Sequence, residues 1–114
     1  MLSGFLDNIL GTEYINITLA NLNSLNNKVM YVFNHIHTHS THIYAVTETW
    51  LNSTIPDSFL LPTNTHRLYR CDDPSGHRKR GVAAYISTKL NAVQLDNQIE
   101  NVLTLSLPSL DIYI

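Results

Sequence analysis

Two short runs of apolar and β-branched residues, Ile15 to Ala20 and His42 to Thr47, flank one helical stripe, and that order restricts the fold more than any other feature. Leu25, Val29, Val32, Phe33 and Ile36 recur at the spacing that places side chains on one face of a helix. Asn21-Leu-Asn-Ser24 supplies the polar side chains that cap such a helix, with Ser24 as the cap. His37 to Thr41 breaks the pattern before the second run, which is short and largely apolar, as in a strand covered on both faces. Strand, helix and strand within roughly 33 residues make a βαβ unit, whose crossover sets the strands parallel and right-handed. Residues just past the carboxyl ends of parallel neighbours lie side by side, where open α/β sheets hold their ligands. Here those residues are Asn21 and Glu48.

Beyond Trp50 the pattern turns to short strands and loops. Pro56 and Pro62 bracket a single helical turn at Asp57 to Leu61. His66 to Arg70 and Val82 to Ser87 read as paired strands joined by the polar loop Cys71 to Arg80, which Pro74 and Gly76 interrupt. Val93 to Leu95, Asn101 to Leu107 and Leu110 to Ile114 are further strands. The expected architecture is α/β at the front with mostly antiparallel β behind it. Residues 1–14 read as a leader and 15–114 as one domain, with 44% hydrophobic residues to build its core.

Charge narrows the function classes. A net charge of -2 excludes a generally basic nucleic-acid coat, but not a local basic patch. A single cysteine, Cys71, excludes an internal disulfide framework and an all-cysteine metal site. No window approaches the roughly 18 apolar residues of a membrane span, and the opening Met1 to Leu10 has no basic segment and is interrupted by Asp7. No membrane partner and no signal peptide are therefore expected, which leaves cytoplasm or nucleus as the expected location.

Glu48 is the most pointed residue. A carboxylate directly after an apolar run and before Trp50 sits at the rim of a sheet, where it binds a hard divalent cation with water and substrate phosphate; the alternative is a solvated loop glutamate. Asn21 both donates and accepts, so it orients a catalytic group or holds a phosphate oxygen, unless it serves only as a turn residue. Arg67, Arg70, Arg78, Lys79 and Arg80 are five of the seven Lys and Arg residues. Such a loop contacts backbone phosphates without reading sequence, or is an ordinary solvated hairpin. His35 and His39 share a helix face at metal-ligand spacing, although imidazoles near the negative end of a helix need no metal to account for them.

Asn21-Leu-Asn-Ser-Leu-Asn-Asn-Lys28 followed by Thr47-Glu-Thr-Trp-Leu51 resembles the opening of the endonuclease/exonuclease/phosphatase superfamily. More narrowly, it resembles the apurinic-endonuclease-like domain of LINE-type non-LTR retrotransposons, which opens with Asn-x-x-Ser-Leu-x-x-Lys and continues with Glu-Thr-Trp-Leu. An arginine-rich segment then leads into a Gly-Val strand, here Tyr69-Arg70-Cys-Asp72 and Arg80-Gly-Val-Ala-Ala-Tyr-Ile86. The resemblance runs from about Ile15 to Ile114, with less glycine around Gly81 than relatives carry.

That resemblance implies a two-sheet α/β sandwich, of which this chain is the N-terminal half, and Mg²⁺-dependent hydrolysis of DNA phosphodiesters to prime reverse transcription. It implies that Glu48 binds the metal and that Asn21 belongs to the active site with it; Arg70, Arg78 and Arg80 of the basic segment are the DNA contacts expected beside them. The family's later tyrosine, its Gly-Asp-x-Asn and its Ser-Asp-His segments find no match in these residues. The expectation is a fragment or degenerate copy, inactive alone. The alternatives are a non-catalytic binding or self-associating module, whose strands expose the apolar faces a missing half would cover, and a small histidine-based metal-binding protein.

Overall fold

The computed structural model describes residues 15–75, 80–95, 103–107 and 110–113. Ile17–Asn21 forms β1, Val29–His39 the helix α1 and Ile43–Thr47 β2. β1 and β2 pair in parallel with Asn21 opposite Thr47, so the expected βαβ unit is present. β3 (His66–Cys71) and β4 (Val82–Ser87) pair antiparallel, and β4 also runs antiparallel to β2. The resulting sheet has the order β1-β2-β4-β3. In consequence the carboxyl ends of β1, β2 and β3 and the start of β4 all lie at one end. A second, antiparallel sheet contains β5 (Val93–Leu95), β6 (Thr104–Leu107) and β7 (Leu110–Tyr113), close to the strands read from sequence. A 3-10 turn at Asp57–Phe59 stands where a single helical turn is expected.

Strand alternation decides which layer each residue of the first sheet meets. Tyr44 and Val46 of β2 and Ala83 and Tyr85 of β4 meet Val29, Val32, Phe33 and Ile36 of α1 in one buried cluster. Ile43, Val82, Ala84 and Ile86 point the other way and meet Leu90, Ala92 and Leu103, which lead into β5 and β6. β2 is thus buried on both faces up to Val46, which is why its sequence is largely apolar. Burying each large aliphatic side chain contributes about 1.5–3 kcal/mol. Phe33 adds an edge-on contact with Tyr85 at 4.8 Å, and the Tyr85 hydroxyl donates to the Leu60 carbonyl. Burial pushes that phenol well above its ordinary range.

The helix starts later than its apolar stripe suggests. Ser24 is not its cap: Lys28 occupies the capping position with no side-chain cap bond. The Ser24 N–H donates to the Glu48 carbonyl at 2.9 Å and the Leu25 N–H to the Thr49 carbonyl at 2.9 Å, which holds both residues out of the helix. Leu25 is fully buried all the same, as a loop residue beneath α1. At the other end Ser40 adopts the left-handed conformation (φ 52°) and its N–H bonds the Ile36 carbonyl, so the helix continues to His39. Among the described residues no helix is long and apolar enough to cross a membrane.

Candidate functional site

Register brings Asn21 and Glu48 together. Asn21 ends β1 opposite Thr47, and Glu48 is the residue just past the end of β2. The Asn21 Nδ2 donates to Glu48 Oε2 at 2.9 Å. This fixes one carboxylate oxygen, and the other has no hydrogen bond to any described residue. The carboxylate is half-buried while the amide is exposed. A pair of this kind offers a hard cation a single oriented carboxylate oxygen, with room for water and a phosphate in the remaining positions.

The backbone around the pair is held in an unusual state. Asn23 (φ 49°), Ser24 (φ 91°), Glu48 (φ 54°) and Trp50 (φ 58°) all take positive φ, which costs an L-residue roughly 1–2 kcal/mol. The surrounding ladder over-determines them. Besides the Ser24 and Leu25 bonds, Thr49 N–H donates to Gly81 at 3.2 Å and Trp50 N–H to Arg80 at 2.9 Å. Gly81 itself has φ 99°, and a Cβ there would lie 2.5 Å from Thr49 Oγ1, so the approach of β4 to this loop requires glycine. Lys28 closes the other side, its Nζ donating to the carbonyls of Asn23 at 2.9 Å and Ser24 at 3.2 Å. Asn21, Lys28 and Tyr31 line an open groove of about 390 Å³ beside the pair. The spacing of Asn21, Ser24, Leu25 and Lys28 therefore has a structural meaning: ligand to Glu48, ladder residue, core plug and loop clamp.

The basic residues separate. Arg70 lies at the same sheet end as Glu48, but its guanidinium is spent on the protein. It makes five hydrogen bonds, to both carboxylate oxygens of Asp72, to Asp57, and to the carbonyls of Asn52 and Ile55. A phosphate contact by Arg70, expected from sequence, would have to break one of these. Its ion pair with Asp57 at 2.9 Å ties the 52–57 loop to the end of β3, and a second at 2.7 Å holds Asp72 just past that strand. Arg80 is more open, with its side chain 53% exposed and 3.6 Å from Asp73. Arg78 lies outside the described residues.

The histidines do not form one cluster. His35 and His39 lie ring against tilted ring on α1, whereas His37, His42 and His66 line a groove of about 540 Å³ at the opposite end of the sheet from Glu48. His66 is buried there, with Nε2 2.9 Å from the Thr41 carbonyl and Nδ1 3.0 Å from Thr65 Oγ1. Burial lowers its pKa, partly offset by the Thr41 bond. Among the described residues no group of three or more His, Cys, Asp or Glu converges as a metal site.

No family model matches the chain, and no curated protein matches it in sequence. Its structure is similar to that of an AP endonuclease from Archaeoglobus fulgidus, with TM-score 0.67 at 14% sequence identity. The match covers 88% of this chain and 40% of that chain. The likeness is one of fold: a four-stranded mixed sheet with its helix, matching part of an endonuclease/exonuclease/phosphatase-like α/β fold.

Proposed function

We propose that this chain carries the metal-binding side of a divalent-cation-dependent DNA phosphodiesterase, of the kind found in LINE-type non-LTR retrotransposons, and that alone it binds without cleaving. The observation that carries this reading is the Asn21–Glu48 hydrogen bond at the joined carboxyl ends of two parallel strands. The donor set fits Mg²⁺, which is held by one or two carboxylates and keeps several waters or phosphate oxygens. When bound, the ion polarises a phosphoryl oxygen and offsets the charge that develops on it. Glu48 holds the cation, Asn21 fixes the carboxylate, and the exposed Arg80, with Arg78, meets flanking phosphates. Arg70 shapes the rim by holding the 52–57 loop.

No described imidazole serves as a general base at this end, since His37, His42 and His66 lie at the other end and His35 and His39 sit toward the carboxyl end of α1. Without a base to activate water the rate falls by about 10²–10⁴. Mn²⁺ is a suitable probe, read by water-proton relaxation. Glu48→Gln is expected to abolish the enhancement and Asn21→Ala to weaken it severalfold; unchanged binding in Glu48→Gln would sink the metal assignment. Supercoiled plasmid with Mg²⁺ is expected to remain uncut, and nicking that Glu48→Ala abolishes would overturn the claim of inactivity.

A second reading has its own observation. Among the described residues β1 pairs only with β2, and Ile17 and Leu19 are 57% and 69% exposed on its face away from α1. An uncharged edge strand of this kind favours self-association, or a missing half that supplies the cover. Size-exclusion chromatography with a hydrophobic dye tests it, and a dye-silent monomer contradicts it.

A further inference from the structure

One turn apart on α1, His35 and His39 bring their rings to a centroid distance of 4.3 Å with 45° between the planes. The two differ in how firmly they are held. His35 is half-buried, its Nε2 3.2 Å from Thr18 Oγ1 on β1 and its ring edge-on to Tyr44 at 5.3 Å. An imidazole with one nitrogen engaged by an oxygen keeps the other for a metal, already oriented. His39 is exposed, and its ring makes no hydrogen bond to any described residue. Both sit toward the carboxyl end of the helix, whose dipole favours a cation.

We propose that His35 and His39 form a two-imidazole site for a divalent transition ion of the Zn²⁺ or Cu²⁺ type. When two imidazoles bind one tetrahedral ion at about 2.0–2.1 Å, their centroids sit roughly 5 Å apart, so the pair has only to open by less than about 1 Å. Nitrogen donors select zinc and copper over Mg²⁺, whereas the Asn21–Glu48 pair offers a carboxylate oxygen of the kind that also suits Mg²⁺ and Mn²⁺. With two protein ligands, the remaining positions belong to water and the ion exchanges readily. His37, though close in sequence, lies on another face of α1, where it lines the groove at the end of the sheet opposite Glu48, and takes no part.

The test is calorimetric titration of the full 114-residue chain with Zn²⁺, with far-UV circular dichroism on every variant. His39→Gln alters an exposed residue and is expected to keep the fold while weakening Zn²⁺ tenfold or more. His35→Gln is expected to do the same, and Thr18→Val to weaken binding by a smaller factor through loss of ring orientation. His37→Gln and Glu48→Gln are expected to leave the affinity unchanged. Cu²⁺ gives a second reading by electron paramagnetic resonance: a two-nitrogen superhyperfine pattern that becomes one-nitrogen in His39→Gln. Native Zn²⁺ affinity in His39→Gln, loss of binding in Glu48→Gln, or a one-nitrogen pattern in the native chain would each overturn the assignment.

Discussion

The two ends of the four-stranded sheet both have to connect strands, and they do so at different conformational expense. At the end that carries Glu48, four non-glycine residues take positive φ: Asn23, Ser24, Glu48 and Trp50. At the opposite end the one such residue among those described is Ser40, which closes α1 in the left-handed state that helices commonly end on. Connection alone does not require the first arrangement. Strain of this kind persists where surrounding structure over-determines it, and it collects at sites that must orient a group. Volume points the other way, because the groove at the opposite end is the larger, yet its buried His66 is already bonded to Thr41 and Thr65. Orientation, not cavity size, distinguishes the Glu48 end.

The largest perturbation of that end is Gly81→Ala. A Cβ would meet Thr49 Oγ1 and force alanine into positive φ, so a loss of about 3 kcal/mol is expected in urea unfolding. A loss below about 0.5 kcal/mol would mean that the β4 approach is loose and the ladder does not fix Glu48. Next is Arg70→Met, which keeps the stem but leaves Asp72 and two carbonyls without their donor; about 2 kcal/mol is expected. If Arg70 instead served phosphate, its removal would reduce DNA binding with stability unchanged.

A matched pair then compares the two ends directly. Ser40→Gly and Glu48→Gly each remove an L-residue from the left-handed region, and each is expected to recover about 1 kcal/mol of backbone strain. Ser40→Gly should raise stability and leave Mn²⁺ binding intact. Glu48→Gly gains the same relief but loses the Asn21 bond, and with it, if the proposed function holds, the Mn²⁺ enhancement is expected to disappear. Equal behaviour of the two in the Mn²⁺ assay would remove the functional distinction between the ends.

These residues also show what could be read from the sequence. The pairing of Asn21 with Glu48 was legible because parallel strands deliver their carboxyl ends side by side, a rule that needs only the order of elements. Ser24 was not, because its N–H is claimed by a loop 24 residues away and the local capping rule cannot see that partner. The partners of Arg70 were hidden for the same reason. Counting basic residues in a segment says nothing of Asp57, Ile55 and Asn52, which reach it from 13 to 18 positions upstream. Gly81 carried a signal in its place just before a strand, but its need for glycine comes from Thr49, a contact made only once β2 and β4 are paired.

The smallest effect is expected from a proton at the opposite end. His66 is buried between Phe33, whose ring stands edge-on at 6.1 Å, and the Thr41 carbonyl, and burial holds its pKa below the ordinary 6.5. With the Nε2–H donating to Thr41, Nδ1 accepts from the Thr65 hydroxyl, so the ring is neutral and both nitrogens are satisfied. As pH falls through 6.5 the unfolded chain takes up a proton that the folded chain refuses, and stability declines until the folded pKa is passed. Above about pH 7.5, where both forms are neutral, this contribution is flat. Urea midpoints measured between pH 5 and pH 8 should therefore fall on the acid side, and the part due to His66 should vanish in His66→Gln. An unchanged slope in that variant would show that the ring accepts its proton freely, and that this end of the sheet is more open to water than its burial indicates.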